Sequence, residues 1–129
     1  MKKTALLGAL VLFPLTASAV DFPVELSAAQ MTARSGSRNL LKIEDVHQRM
    51  QSAINCLVGP KGEGFDTAAS NPCAASGNGV IPDTVDPAKK AKFQEAVEKL
   101  KSGLTVADRK DAMQIALDGA DMIVAAAGD

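Results

Sequence analysis

Residues 40–57, LLKIEDVHQRMQSAINCL, decide how the rest of the chain is read. Leu40, Ile43, Val46, Met50, Ile54 and Leu57 recur at spacings of three and four, the period that gathers side chains onto one face of an α-helix. Asn39 stands where an N-cap belongs, and Gly59-Pro60 stops the helix, since glycine leaves helical geometry easily and proline cannot continue it. A strand would need apolar residues at every second position, and beyond position 20 no such alternation runs for more than a few residues. The expected fold class is all-α.

Two further helices follow downstream. Asp86-Pro87 is an N-cap followed by proline at the first helical position, and it opens a helix over 87–102 that ends at Gly103. Its apolar side is Ala88, Ala91, Phe93, Ala96, Val97 and Leu100, with lysines and glutamates between them. Thr105, with Asp108 three residues on, resembles a capping box for a third helix that runs to Gly128, with Val106, Met113, Ala116, Leu117, Ala120, Ile123 and Val124 as its stripe. The short connection from Ser102 to Thr105 makes these two helices antiparallel neighbours. Upstream, Asp21 and Pro23 signal a short helix over 23–33 with Val24, Ala28 and Met31 on one side, broken by Arg34–Arg38, RSGSR. The expected architecture is a small antiparallel bundle of three to four helices.

Between the 40–57 and 87–102 helices lie residues 59–86, rich in Gly, Pro, Asn, Asp, Ser and Ala. Connections this long in a small domain are functional, tied down or disordered. Phe65, Val80 and Ile81 supply apolar anchors, so an ordered loop is expected. The chain has two cysteines, Cys56 on the last helical turn and Cys73 within the loop. They are too far apart in sequence for a C-x-x-C redox motif, and with one His they are too few for a structural zinc site. A disulfide between them is the expected pairing, contributing about 3 kcal/mol for a loop of this length. The loop's oxygen-bearing side chains (Glu63, Asp66, Asn78, Asp83, Asp86) lack the D-x-[DN]-x-[DN]-G spacing of an EF-hand.

A disulfide needs an oxidising compartment, and the first residues supply a route to one. Residues 1–19, MKKTALLGALVLFPLTASA, carry Lys2 and Lys3, an apolar run from Ala5 to Leu15 and the A-x-A pair Ala17 and Ala19, the pattern of a cleaved secretory signal peptide. The run is too short to span a bilayer and contains Pro14. The expected location is periplasmic or secreted, with no membrane span after cleavage and a single domain over 20–129. The full chain has 129 residues and a formal charge of −1; without Lys2 and Lys3 the remaining 110 residues carry −3. That balance, with no basic cluster, excludes a phosphate-neutralising nucleic-acid surface. Among those 110 residues 48 are apolar and 18 of these are Ala, so the core must rely on close helix approach.

The one histidine is the remaining chemical clue. His47 falls on the side of Ile43, Met50 and Ile54, facing inward or into a groove. His47 and Met50, at i and i+3, are candidate metal ligands: an imidazole and a thioether suit copper or non-covalent haem iron, with Met31, Met113 or Met122 as further sulfur donors. The simpler expectation is no cofactor, with His47 bonded to a carbonyl or carboxylate and Met50 filling the core. No C-x-x-C-H or G-x-S-x-G is present, and the carboxylate pairs Glu44-Asp45 and Asp118-Asp121 have the pattern of solvated helix faces. The functional expectation is a non-catalytic interaction or accessory module, monomer or homodimer, that binds another periplasmic protein.

Overall fold

In a computed structural model that describes residues 20–128, the chain is all-helical, with no strand among those residues. The export-signal reading of 1–19 lies outside the described residues. Four long helices, α1 (Phe22–Ser35), α2 (Ile43–Val58), α4 (Pro87–Gly103) and α5 (Arg109–Gly128), are joined by a single-turn helix α3 (Val80–Asp83) inside the long connection. None of these helices is long and apolar enough to cross a membrane.

The helix starts follow local hydrogen bonding more closely than the apolar stripes. The Asp86 carboxylate accepts from the amides of Ala88 at 2.8 Å and Lys89 at 3.4 Å, so α4 begins as its N-cap and Pro87 dictate. α2 begins at Ile43, three residues after the first leucine of the stripe, because the Asp45 carboxylate accepts from the Lys42 amide at 3.3 Å. Asn39 is not its cap, and Leu40 is left 97% exposed. α5 begins at Arg109, where the Asp108 carboxylate takes the Asp111 amide at 3.0 Å; Thr105 stays in the turn, since Leu104 and Val106 donate back to the carbonyls of Lys101 and Gly103.

The helices run alternately up and down and close into a ring. Lys89 donates to the Ala127 carbonyl while Lys99 pairs with Asp118 at 3.1 Å, so α4 and α5 are antiparallel. Gly36 meets Ala116 and Arg34 pairs with Asp121 at 2.6 Å, which sets α1 antiparallel to α5. Gly36 also approaches Arg49 while the Glu25 carbonyl approaches Cys56, which sets α1 antiparallel to α2. The bundle matches the expected architecture, with four long helices.

Small residues set the helix spacing. A side-chain carbon on Gly119 would collide with Leu100, and one on Gly103 would lie 2.6 Å from the Met50 sulfur, so α4 packs into both neighbours where glycine leaves room. The core is filled by Met50, Ile54, Leu57, Phe93, Leu100 and Ile123 among buried alanines. Three apolar stripes are corrected. On α4 the buried row is Phe93, Ala96, Val97, Leu100 and Gly103, and Ala88 and Ala91 in its first turns are exposed. α1 buries Glu25, Ala29 and Ala33 rather than Val24, Ala28 and Met31, and Val24 and Met31 are exposed. With Ala29 and Ala33 turned inward in place of Val24 and Met31, most of the helix can lie close against α2 and α5, and Glu25 is buried at its first turn. On α5 the buried row is Ala112, Ala116, Gly119, Ala120, Ile123 and Ala126, and Val124 faces solvent for the same reason.

Candidate functional site

One turn of α2, carrying Gln51, Ser52 and Asn55, organises the long connection. Asn55 is fully buried within an otherwise apolar run, a placement that costs free energy unless its amide is satisfied. Its Oδ1 accepts from the Asp66 amide at 2.9 Å and from the Gln51 side chain at 3.1 Å. Its Nδ2 donates to the carbonyl of Asp66 at 2.8 Å, with those of Ala69 and Ser70 at 3.3 and 3.2 Å. Gln51 also donates to the Gly64 carbonyl at 2.9 Å, and the hydroxyls of Ser52 and Ser70 bond to each other at 2.8 Å. Three side chains of one helix thus bracket residues 64–70 and do for that loop what a sheet partner does for a strand.

The segment is fastened a second time at Cys73. Cys56 and Cys73 form the expected disulfide, with Cα atoms 5.1 Å apart and both residues buried. The two sulfurs lie 3.5 and 3.2 Å from the carbonyl oxygen of Glu25, so the bridge sits between α1, α2 and the loop. The loop ends close by backbone contact: Gly59 and Gly79, at φ +74° and +120°, lie so near each other that a side-chain carbon on Gly79 would be 2.7 Å from the Gly59 nitrogen. Only glycine combines that approach with that conformation. Beyond the pinch, Val80 is buried and Phe65 and Ile81 pack against the core, as the anchors in the sequence require.

Glu25 carries a second polar fastening. Its side chain is fully buried, and its Oε1 accepts from the Gly79 amide at 2.7 Å. Burial pushes its carboxyl up to about 7; the Gly79 amide opposes that shift and the neighbouring Asp83 carboxylate adds to it. Asp83 itself accepts from the backbone and side-chain nitrogens of Asn78, at 2.7 and 3.0 Å.

His47 and Met50 are not brought to a common cavity. The half-buried imidazole donates its Nε2–H to the Val106 carbonyl at 2.9 Å, tying α2 to the turn before α5. The Met50 thioether is sealed against Gly103 in the core. Met31 is exposed on α1, and among the described residues no group of three or more His, Cys, Asp or Glu side chains is placed to hold a metal. The carboxylate pairs act separately. Asp45 serves the start of α2; Asp121 pairs with Arg34; Asp118, held below the usual carboxylate range by Gln114 and then Lys99, links α4 to α5.

The bracketed segment and α2 together shape the surface. One groove, about 430 Å³, is lined by Thr32, Asp45, Gln48, Arg49, Ser52, Ser70 and Pro72. A second, about 400 Å³, is lined by Glu44, His47, Gln48, Gln51, Asp66, Ala68, Ala69 and Leu104. The two meet at Gln48, and residues 66–72 wall both. Sequence reasoning found the staple and the loop but missed Asn55 and Glu25. An amide inside the apolar run Ala53–Val58, directly before a long loop, is the signal that points to Asn55; for Glu25 the misplaced face of α1 hid it. No family model matches the chain, and neither a curated protein nor a solved structure matches it.

Proposed function

We propose that the protein is an exported, non-catalytic interaction module, which presents the face built by α2 and residues 66–72 to another extracytoplasmic protein. The observation that carries this reading is the pair of grooves meeting at Gln48, one mainly polar and one mainly apolar, both walled by a segment that its own scaffold holds in place. A loop fixed before binding loses little conformational entropy on docking, the usual reason to build a recognition surface on a stapled scaffold. The disulfide fits an oxidising compartment. The reading includes no catalysis: Ser52 and Ser70 hydrogen-bond to each other, and the imidazole of His47 is engaged with a backbone carbonyl instead of a nucleophile.

The test is site-specific photocrosslinking in cells that export the protein. A crosslinker at Ala68, on the groove wall, is expected to give one discrete adduct that Asn55→Ala abolishes, while one at Ala91, on the exposed side of α4, gives none. The same adduct from both positions, or none from Ala68, contradicts the proposal. Copper or haem retained one to one and lost in His47→Ala would replace it with a ligand-binding function.

A further inference from the structure

Among the described residues, the buried side-chain polar atom left without a partner is Oε2 of Glu25. A buried carboxylate oxygen without a donor costs free energy that native structures rarely leave uncompensated. What lies beside it is another acid. A side-chain carbon built on Gly77 would stand 2.5 Å from Asp83 Oδ2 and 2.9 Å from each Glu25 oxygen, so the two carboxyls converge on the same glycine. Two carboxylates so placed repel and offer each other no donor. With one proton between them, the orphan oxygen becomes a donor, Asp83 an acceptor, and the repulsion disappears.

We propose that Glu25 and Asp83 share one proton, and that this proton latches residues 77–83 onto α1, fastening the stapled segment while it is bound and loosening it when it is lost to solvent. The geometry restricts what else could hold the pair. Asp83 is the charged group that acts on Glu25 from α3. α2 faces it with the disulfide, which does not titrate. On α1, Asp21 is exposed one turn earlier with its carboxylate on the Val24 amide, and Arg34 is more than two turns away, paired with Asp121 of α5. Among the described residues, no ion pair joins a lysine or arginine to either acid. The latch is independent of what docks on residues 66–72, because it acts on the far end of the same loop, beyond the disulfide.

The sign of the pH dependence follows from the direction of the shift. Glu25 holds its proton more tightly folded than unfolded, so the latch contributes fully below the ordinary glutamate value of 4.5 and its contribution is lost as pH rises to about 7. The deciding experiment is an NMR titration of the oxidised full chain that follows the Glu25 carboxyl carbon and hydrogen exchange at the Gly79 amide. The expected result is a Glu25 midpoint near 7 and a roughly tenfold loss of Gly79 protection, after correction for intrinsic exchange, between about pH 5.5 and pH 8.5. Glu25→Gln, which keeps the acceptor for Gly79 and adds a permanent donor toward Asp83, removes the pH dependence. Asp83→Asn lowers the Glu25 midpoint. A Glu25 midpoint near 4.5, or Gly79 protection constant across the range, overturns the proposal even if neither variant folds. So does a midpoint that falls in millimolar calcium, since a cation would then be the partner of the pair.

Discussion

The helical frame and the connection it carries are held by opposite kinds of interaction. In the frame, stability is spread over many apolar contacts of large side chains against small residues, such as Leu100 against Gly119 and Met50 against Gly103. Residues 59–83 add to their few apolar anchors, Phe65, Val80 and Ile81, a set of polar side chains borrowed from the frame, Asn55, Gln51, Ser52 and Glu25, and one covalent bond. Apolar contacts degrade gradually as they are removed, whereas a buried polar group that loses its partner costs more than the contact it made. A lean core can therefore carry a long, ordered loop, provided the loop's backbone finds its donors and acceptors on the helices beneath it.

The largest loss of stability is expected in the frame. Leu100→Ala empties a buried site against Gly119 and is expected to cost about 3 to 5 kcal/mol, measured by urea denaturation, with helix and loop unfolding together. Reduction of Cys56–Cys73 should cost about 3 kcal/mol, yet leave the far-ultraviolet helical signal in place, because the four long helices do not depend on the bridge for their own packing. Asn55→Ala strips the Asp66 amide and the facing carbonyls of their partner and is expected to cost about 2 kcal/mol while exposing 64–70 to proteolysis. The smallest effect belongs to Arg34→Ala, under about 0.5 kcal/mol, since both members of the Arg34–Asp121 pair are about half exposed and solvent screens them. An Asn55→Ala variant that matched Arg34→Ala would erase the distinction between the two regions.

The sequence carried the frame well and the polar fastenings poorly, and the reason is physical. Helix periodicity reports apolar residues, so Val46, Met50, Ile54 and Leu57 of α2, Phe93, Ala96, Val97 and Leu100 of α4 and the Asp86-Pro87 start are legible, while Leu40, Ala88 and Ala91 of the same stripes are exposed. The same logic misplaced α1, where Val24, Ala28 and Met31 are the more apolar side but Ala29 and Ala33 are the side that fits against two neighbours. It also placed the starts of α2 and α5 too early, because carboxylates at Asp45 and Asp108 outcompete the first apolar residues in choosing where the helix begins. Asn55 and Glu25 act across eleven and 54 residues of sequence, on backbone atoms whose positions exist only once the loop has folded. His47 is half-buried on a groove wall, and its partner, the Val106 carbonyl, belongs to the turn before α5, where the apolar pattern reads Val106 as part of a helical stripe.

If the polar bracket works as described, residues 64–70 are as firmly held as the helix beneath them. The Asp66 amide, which donates to the buried Oδ1 of Asn55, reports this directly. In native-state hydrogen exchange on the oxidised protein, Asp66 protection is expected within about tenfold of the slowest amides of α2. Exchange of Asp66 at the rate of an unstructured peptide, with α2 still protected, would contradict it.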